Sequence, residues 1–137
     1  MRYMILVKAT PATTAGEMPD EALLAEMADY HVQLAQAGIL LDGHGLQPST
    51  QGWRVHHRQG ERTLVEGPFA GATERIAGYT VIEVRSREEA LAWTQRFPAP
   101  HGPQFDTHIE VHQMAELHDL ASREAITRFR EQDARTA

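Results

Sequence analysis

An α+β domain, with two helices packed on one face of an antiparallel sheet, is predicted by three observations. Segments rich in β-branched and aromatic residues recur at Arg2 to Lys8, Trp53 to Glu66, Ala77 to Arg85 and Thr107 to Met114. Two stretches with apolar residues at helical spacing lie among them, one through Leu23, Met27, Tyr30 and Leu34, the other through Ala90, Trp93 and Phe97. Gly38, Gly60, Pro68 and Pro98 punctuate the junctions. With 137 residues, 42% of them hydrophobic, the chain can bury one core and is too short for a second independent one.

Arg2 to Lys8 is the first strand, ended by Thr10-Pro11. Pro19 sits well in the first turn of a helix that Gly38 closes, although Met18 offers no capping oxygen. Ile39-Leu40-Leu41 reads as a short buried strand, after which Gly43 and Gly45 free the backbone to bend. Trp53 to Arg58 and Arg62 to Glu66 form a hairpin about Gln59-Gly60. Ala77 to Arg85 is a further strand, with Ile82 and Val84 on one face and Tyr79, Val81 and Glu83 on the other. Ser86 and Glu89 have capping-box spacing and open the second helix, which Pro98-Ala99-Pro100 stops. Thr107 to Met114 is the last strand, with Ile109 and Val111 facing opposite to His108, Glu110 and His112. A weakly striped helix runs from Ala115 to about Gln132, so residues 1–114 form the domain and 115–137 a C-terminal helical extension. The order strand, helix, strand, inserted hairpin, strand, helix, strand is that of a ferredoxin-like domain. Alternation is expected to put Tyr3, Ile5, Val7, Tyr79 and Val81 together on one sheet face, which a second subunit would bury in a homodimer.

Composition closes off several functions. Nineteen acidic against thirteen basic residues give a formal charge of −6, which disfavours a nucleic-acid partner. No apolar run approaches membrane-spanning length and no signal peptide is visible, so a cytoplasmic protein is expected. The absence of cysteine removes thiolate nucleophiles, disulfides and Cys-based metal sites. Gly43-His44-Gly45 lacks the third glycine of a dinucleotide fingerprint and no Walker loop is present, so no cofactor is expected.

The remaining chemistry lies in carboxylates and histidines. Glu66-Gly67-Pro68-Phe69 forces a sharp turn, with Phe69 as an apolar anchor into a core. Glu66 caps backbone N–H groups of the turn, points into water, or serves as a general base. His108, Glu110 and His112 alternate on a strand, yet positions four apart are separated by about 13 Å, too far for one metal. They read as a polar rim, and no metal is assigned. His56 and His57 point to opposite faces, so only one can reach a cleft. His31 on the first helix reads as a satisfied, partly buried histidine, and His44 between two glycines as a surface one.

Several motifs occur together: Arg-Tyr-Met-Ile-Leu-Val at the start, Ala37-Gly38-Ile39-Leu40, Gly45-Leu46-Gln47-Pro48, Glu66-Gly67-Pro68-Phe69, Gly78 to Val84, and Glu89 to Trp93. In this order and spacing the chain resembles the DGPF group of YCII-related proteins over about residues 2 to 113. The resemblance implies a dimeric α+β barrel, two such sheets face to face with a cleft between or beside them. It also implies a setting near alternative sigma factors, and distant relatives that include lactone isomerases and a dehydrochlorinase. The signature Asp is Glu66 here, a Lys often found before Glu74 is Thr73, and the helix histidine of the YCII branch falls at Met27, with His31 one turn on. The expected function is a homodimer binding a small ligand or a protein partner, with a lyase or isomerase as the alternative. Catalytic candidates are Glu66, His57 and Glu110. Ligand-binding candidates are Phe69, Glu74, Tyr79, His108 and His112.

Overall fold

Alternating side chains make Arg2–Lys8 a strand, β1, buried through Tyr3 and Ile5. This computed structural model describes residues 1–9, 20–69, 75–102, 107–119 and 123–136. Helix α1, Glu21–Gln36, is capped by Asp20, whose Oδ1 accepts from the Leu23 N–H at 2.8 Å. The capping oxygen thus comes from Asp20, one residue beyond Pro19, which itself lies outside the described residues. Gly38, at φ 75°, lets the chain leave the helix toward β2, Leu40–Gly45.

β2 is longer than the Ile39-Leu40-Leu41 reading. Its register slips between Leu40 and Asp42, leaving Leu41 unpaired and exposed, and both glycines continue the strand instead of bending it. The tight position is on the partner strand: Gly45 lies opposite Gly78, and a Cβ on Gly78 would stand 3.1 Å from the His44 carbonyl oxygen. The hairpin forms as expected, β3 at Trp53–Arg58 and β4 at Glu61–Glu66, with Gln59 and Gly60 both at positive φ in the turn. β5 spans Ile76–Glu83, helix α2 Arg87–Thr94 and β6 Ile109–Gln113. The Ser86 Oγ accepts from the Glu89 N–H at 3.1 Å, but the Glu89 carboxylate turns to the Arg85 N–H at 3.0 Å rather than to that of Ser86.

The four-stranded sheet runs β2-β5-β1-β6, all neighbours antiparallel, which is the ferredoxin-like order; β3 and β4 form a separate two-stranded sheet. Tyr3 is paired with Ile82 and Ile5 with Thr80. Directly opposed residues share a face, so Tyr3 and Ile5 pack with Ile82, Val84, Tyr30, Leu34, Ile39 and Ala90 beneath the helices. Tyr79 and Val81 therefore belong to the other face, with Met4 and Leu6, and the single-face grouping of all five residues is corrected. Alternation assigns residues within a strand; only register joins strands.

After β6 the expected helix from Ala115 is interrupted. The Asp119 side chain accepts from the Glu116 N–H at 2.9 Å and holds a short 3-10 turn, Leu117–Asp119, before helix α3 at Arg123–Thr136. Leu120 and Ala121 fall outside the described residues, and Phe129 on α3 is exposed. Glu116 anchors this segment to the sheet through a bidentate pair with Arg2, at 3.1 and 3.3 Å. No helix among the described residues is long and apolar enough to cross a membrane.

Candidate functional site

The sheet face turned away from α1 and α2 carries an apolar floor between two polar edges. Val81, Met4 and Leu6 lie at its centre on β5 and β1. Register places Asp42 beside Val81 and His44 beside Tyr79 at one edge, and His112 beside Met4 and Glu110 beside Leu6 at the other. Three inter-strand steps of about 4.8 Å separate the edges by roughly 14 Å.

At the β2 edge, Asp42 is the hub. Its Oδ2 accepts from the Tyr79 hydroxyl at 2.9 Å, and its Oδ1 accepts from the Gly43 N–H at 2.9 Å and lies 3.0 Å from His44 Nε2. The Tyr79 hydrogen bond above all, then the Gly43 amide and His44, holds the Asp42 carboxyl below its ordinary range, and the same bond pushes the Tyr79 phenol up. With Nε2 turned to the carboxylate, His44 presents Nδ1 to solvent. At the β6 edge, Glu110 lies 2.9 Å from Lys8 Nζ and 3.0 Å from His112 Nε2. Lys8 first, then His112, lowers the Glu110 carboxyl.

These two clusters carry a pH dependence whose sign is fixed. A lowered carboxyl stabilises the fold at pH values above its ordinary value, 3.8 for Asp42 and 4.5 for Glu110, and that contribution is lost as pH falls through the lowered folded value. Asp42→Asn with Glu110→Gln is therefore expected to flatten the stability curve below about pH 4, in urea titrations compared with the parent. An unchanged acid limb would show that neither bond persists in solution.

Of the candidate residues from the sequence, the structure brings Glu110 and His112 together, and adds Lys8 to them. His108 precedes β6 and is exposed. Tyr79 is on the same face, on β5, one strand in from the opposite edge. Glu66 and His57 share one face of the hairpin, but Glu66 pairs with Trp53 and His57 with Arg62, so the two stand four residues apart, about 13 Å. Glu74 lies outside the described residues. Phe69 is not in the core: the Arg54 guanidinium lies 4.0 Å from its ring centroid and that of Arg75 at 5.5 Å, while Arg75 also donates to the Phe69 carbonyl. The corner is thus pinned by two cations rather than by apolar packing. Among the described residues no group of three His, Asp or Glu side chains is placed to hold a metal ion.

His31 is satisfied, as its position on the helix predicts. The Met27 carbonyl can only accept, so Nδ1 donates to it at 2.7 Å, and in the neutral ring Nε2 accepts from the Thr80 hydroxyl at 2.8 Å. Gly43 packs directly over that bond, where an added Cβ would come within 3.4 Å of Nε2. An open groove of about 470 Å³ lies on the helix side, lined by Glu26, Asp29, Tyr30, Gln33, Arg96 and Pro98. Its Tyr30 hydroxyl already donates to the Trp93 carbonyl and its Arg96 to Gln33.

Residues 1–110 match the YCII-related domain. The chain belongs to the YCII-related domain family. A protein of Rhizobium meliloti (strain 1021), described as uncharacterized, is 28% identical over 93 residues, which span 66% of this chain and 75% of that protein. The family match ends within β6, so the Glu116 anchor and α3 of this YCII-related chain lie beyond it. The Asp42–His44–Tyr79 cluster escapes the sequence because Gly43 and Gly45 look like a bend. Once β2 is extended through them, Asp42 and His44 alternate onto one face.

Proposed function

We propose that this YCII-related chain acts as a homodimeric binding domain whose helix-free sheet face holds a small organic ligand. The observation that carries the reading is the apolar floor of Met4, Leu6 and Val81 between the Asp42–His44–Tyr79 and Lys8–Glu110–His112 clusters. Such an arrangement suits an apolar carbon skeleton with oxygen atoms at its ends, because imidazole and phenol groups sit about a floor's width apart. A second copy over this face would close the site against water. A regulatory setting beside a protein partner is a use of the same binding face.

The enzymatic reading is favoured by one feature, the Asp42–His44 contact. A carboxylate on Nε2 fixes the ring and leaves Nδ1, the nitrogen turned to solvent, as a proton acceptor, the arrangement of a general base for a lyase or isomerase.

The test is a thermal-shift panel of small carboxylates and lactones on the full chain, repeated with His44→Gln and His112→Gln. A compound that binds only the folded state at about 100 times its Kd stabilises it by about 2.7 kcal/mol, a shift of several degrees. The expected result is a saturable shift in the parent that both variants lose. A shift retained in both would move the ligand elsewhere, and proton exchange of the bound compound lost in His44→Gln would select the enzymatic reading.

A further inference from the structure

The β3–β4 hairpin stands outside the four-stranded sheet, and all twelve of its strand residues are exposed. A lone two-stranded hairpin is marginal in water, so an exposed one of this length calls for a cover. Its base is nevertheless fixed to the body. Arg54 on β3 and Arg75 just before β5 hold Phe69 between them, and the Gly67 N–H donates to the Gly52 carbonyl at 2.8 Å.

The two hairpin faces differ. Arg54, His56 and Arg58 share one with Val65, Thr63 and Glu61, which is mostly polar. The other pairs Trp53 with Glu66, Val55 with Leu64 and His57 with Arg62. There Trp53 is 66% exposed, Leu64 62% and Val55 47%, an apolar strip with nothing over it among the described residues. Along the strip the order is acidic at the base, apolar in the middle and basic toward the tip. A two-fold axis through the Val55–Leu64 pair reverses that order in the second copy. Glu66 of one copy then meets Arg62 and His57 of the other, twice over, with the apolar pairs stacked between.

We propose that this face is a self-complementary docking surface that pairs with the same face of a second copy of the chain, Glu66 of each copy bonding Arg62 of the other. The signature carboxylate of the Glu-Gly-Pro-Phe corner thereby acquires an assembly role, placed by the corner at the end of the strip. The inference rests on the homodimer reading above and specifies a contact within it.

Light scattering on the full chain with Glu66→Arg, Arg62→Glu and the double exchange tests it. Each single exchange sets like charges against each other and is expected to weaken association about tenfold or more, shifting the dimer toward monomer. The double exchange restores opposite charges and is expected to recover the parent mass; Trp53→Ala, which removes the apolar end, is expected to weaken it without rescue. Circular dichroism of all variants is expected to match the parent, since the hairpin contributes nothing to the core. A parent that is monomeric at micromolar concentration overturns both this contact and the homodimer. A parent dimer unmoved by any variant overturns the hairpin contact alone, as does a double exchange that fails to rescue.

Discussion

Leu34→Ala is expected to lower the free energy of unfolding by about 2–5 kcal/mol, read as a shift of the urea midpoint with an unchanged slope. Leu34 has no exposed surface and lies among Tyr3, Ile5, Ile39 and Ile82, where α1 meets the helix-side face of the sheet. Removing three carbons there forfeits both their transfer from water and the contacts of the atoms that surrounded them. β1 and β5 are tied by seven register pairs and cannot move inward to fill the space. The loss is a large part of the 5–15 kcal/mol that a domain of this size holds in reserve. Leu24→Ala, on the same helix but half exposed, is the control and is expected to stay within about 0.5 kcal/mol. Equal effects at both positions would mean that α1 does not pack by the Tyr30–Leu34 stripe.

That stripe was legible because helical periodicity and burial are two views of one pattern. Leu23, Met27, Tyr30 and Leu34 are spaced to face one way, and the structure half-buries the first two and buries the last two. The ferredoxin-like order was legible for a similar reason, since each strand announces itself by composition and each junction by glycine or proline. What alternation could not supply was register. Tyr3 lies opposite Ile82 instead of beside Tyr79 in the face grouping, a choice made by long-range pairing that no local pattern encodes. The candidate site depended on the same step. Glu110 and His112 were visible as alternate residues of one strand, whereas their partner Lys8 comes from β1, about a hundred residues away. Asp42 and His44 were hidden by Gly43 and Gly45, which continue the strand instead of turning it, Gly43 packing against the His31 ring.

The two halves of the sheet divide the work between them. Beneath the helices, the polar groups His31, Thr80 and Tyr30 are bonded and enclosed, and they hold the fold. On the opposite face, Asp42, His44, Tyr79, Glu110 and His112 are bonded to one another but remain accessible, so a ligand can compete for their partners without unfolding anything. Accessible bonds of this kind contribute little to stability, and their value lies in holding side chains in place.

A loss of stability at alkaline pH, removed by Tyr30→Phe, is the second expected result of large size. The Tyr30 hydroxyl donates to the Trp93 carbonyl at 2.7 Å, its ring meets those of Phe97 and Trp93 edge-on, and only 4% of the residue is exposed. Burial pushes the phenol up to about 12, against the smaller opposing pull of the Arg96 guanidinium. The folded state therefore keeps a proton that the unfolded chain releases at an ordinary value of 10.0. The contribution is complete below pH 10 and is lost as pH rises toward 12, amounting to about 2–3 kcal/mol over those two units. Urea midpoints between pH 9 and 12, with tyrosinate absorbance followed in parallel, measure it. Tyr30→Phe is expected to give up about 0.5–1.5 kcal/mol at neutral pH for the missing hydrogen bond, and to lose the alkaline slope. Tyr79 also holds its proton more firmly, through Asp42, but it is only half-buried and lies on the other face. Tyr79→Phe is expected to leave the alkaline limb in place, and a limb that vanished with Tyr79 instead of Tyr30 would mean that the Asp42 edge, not the interhelical core, is where the fold opens first.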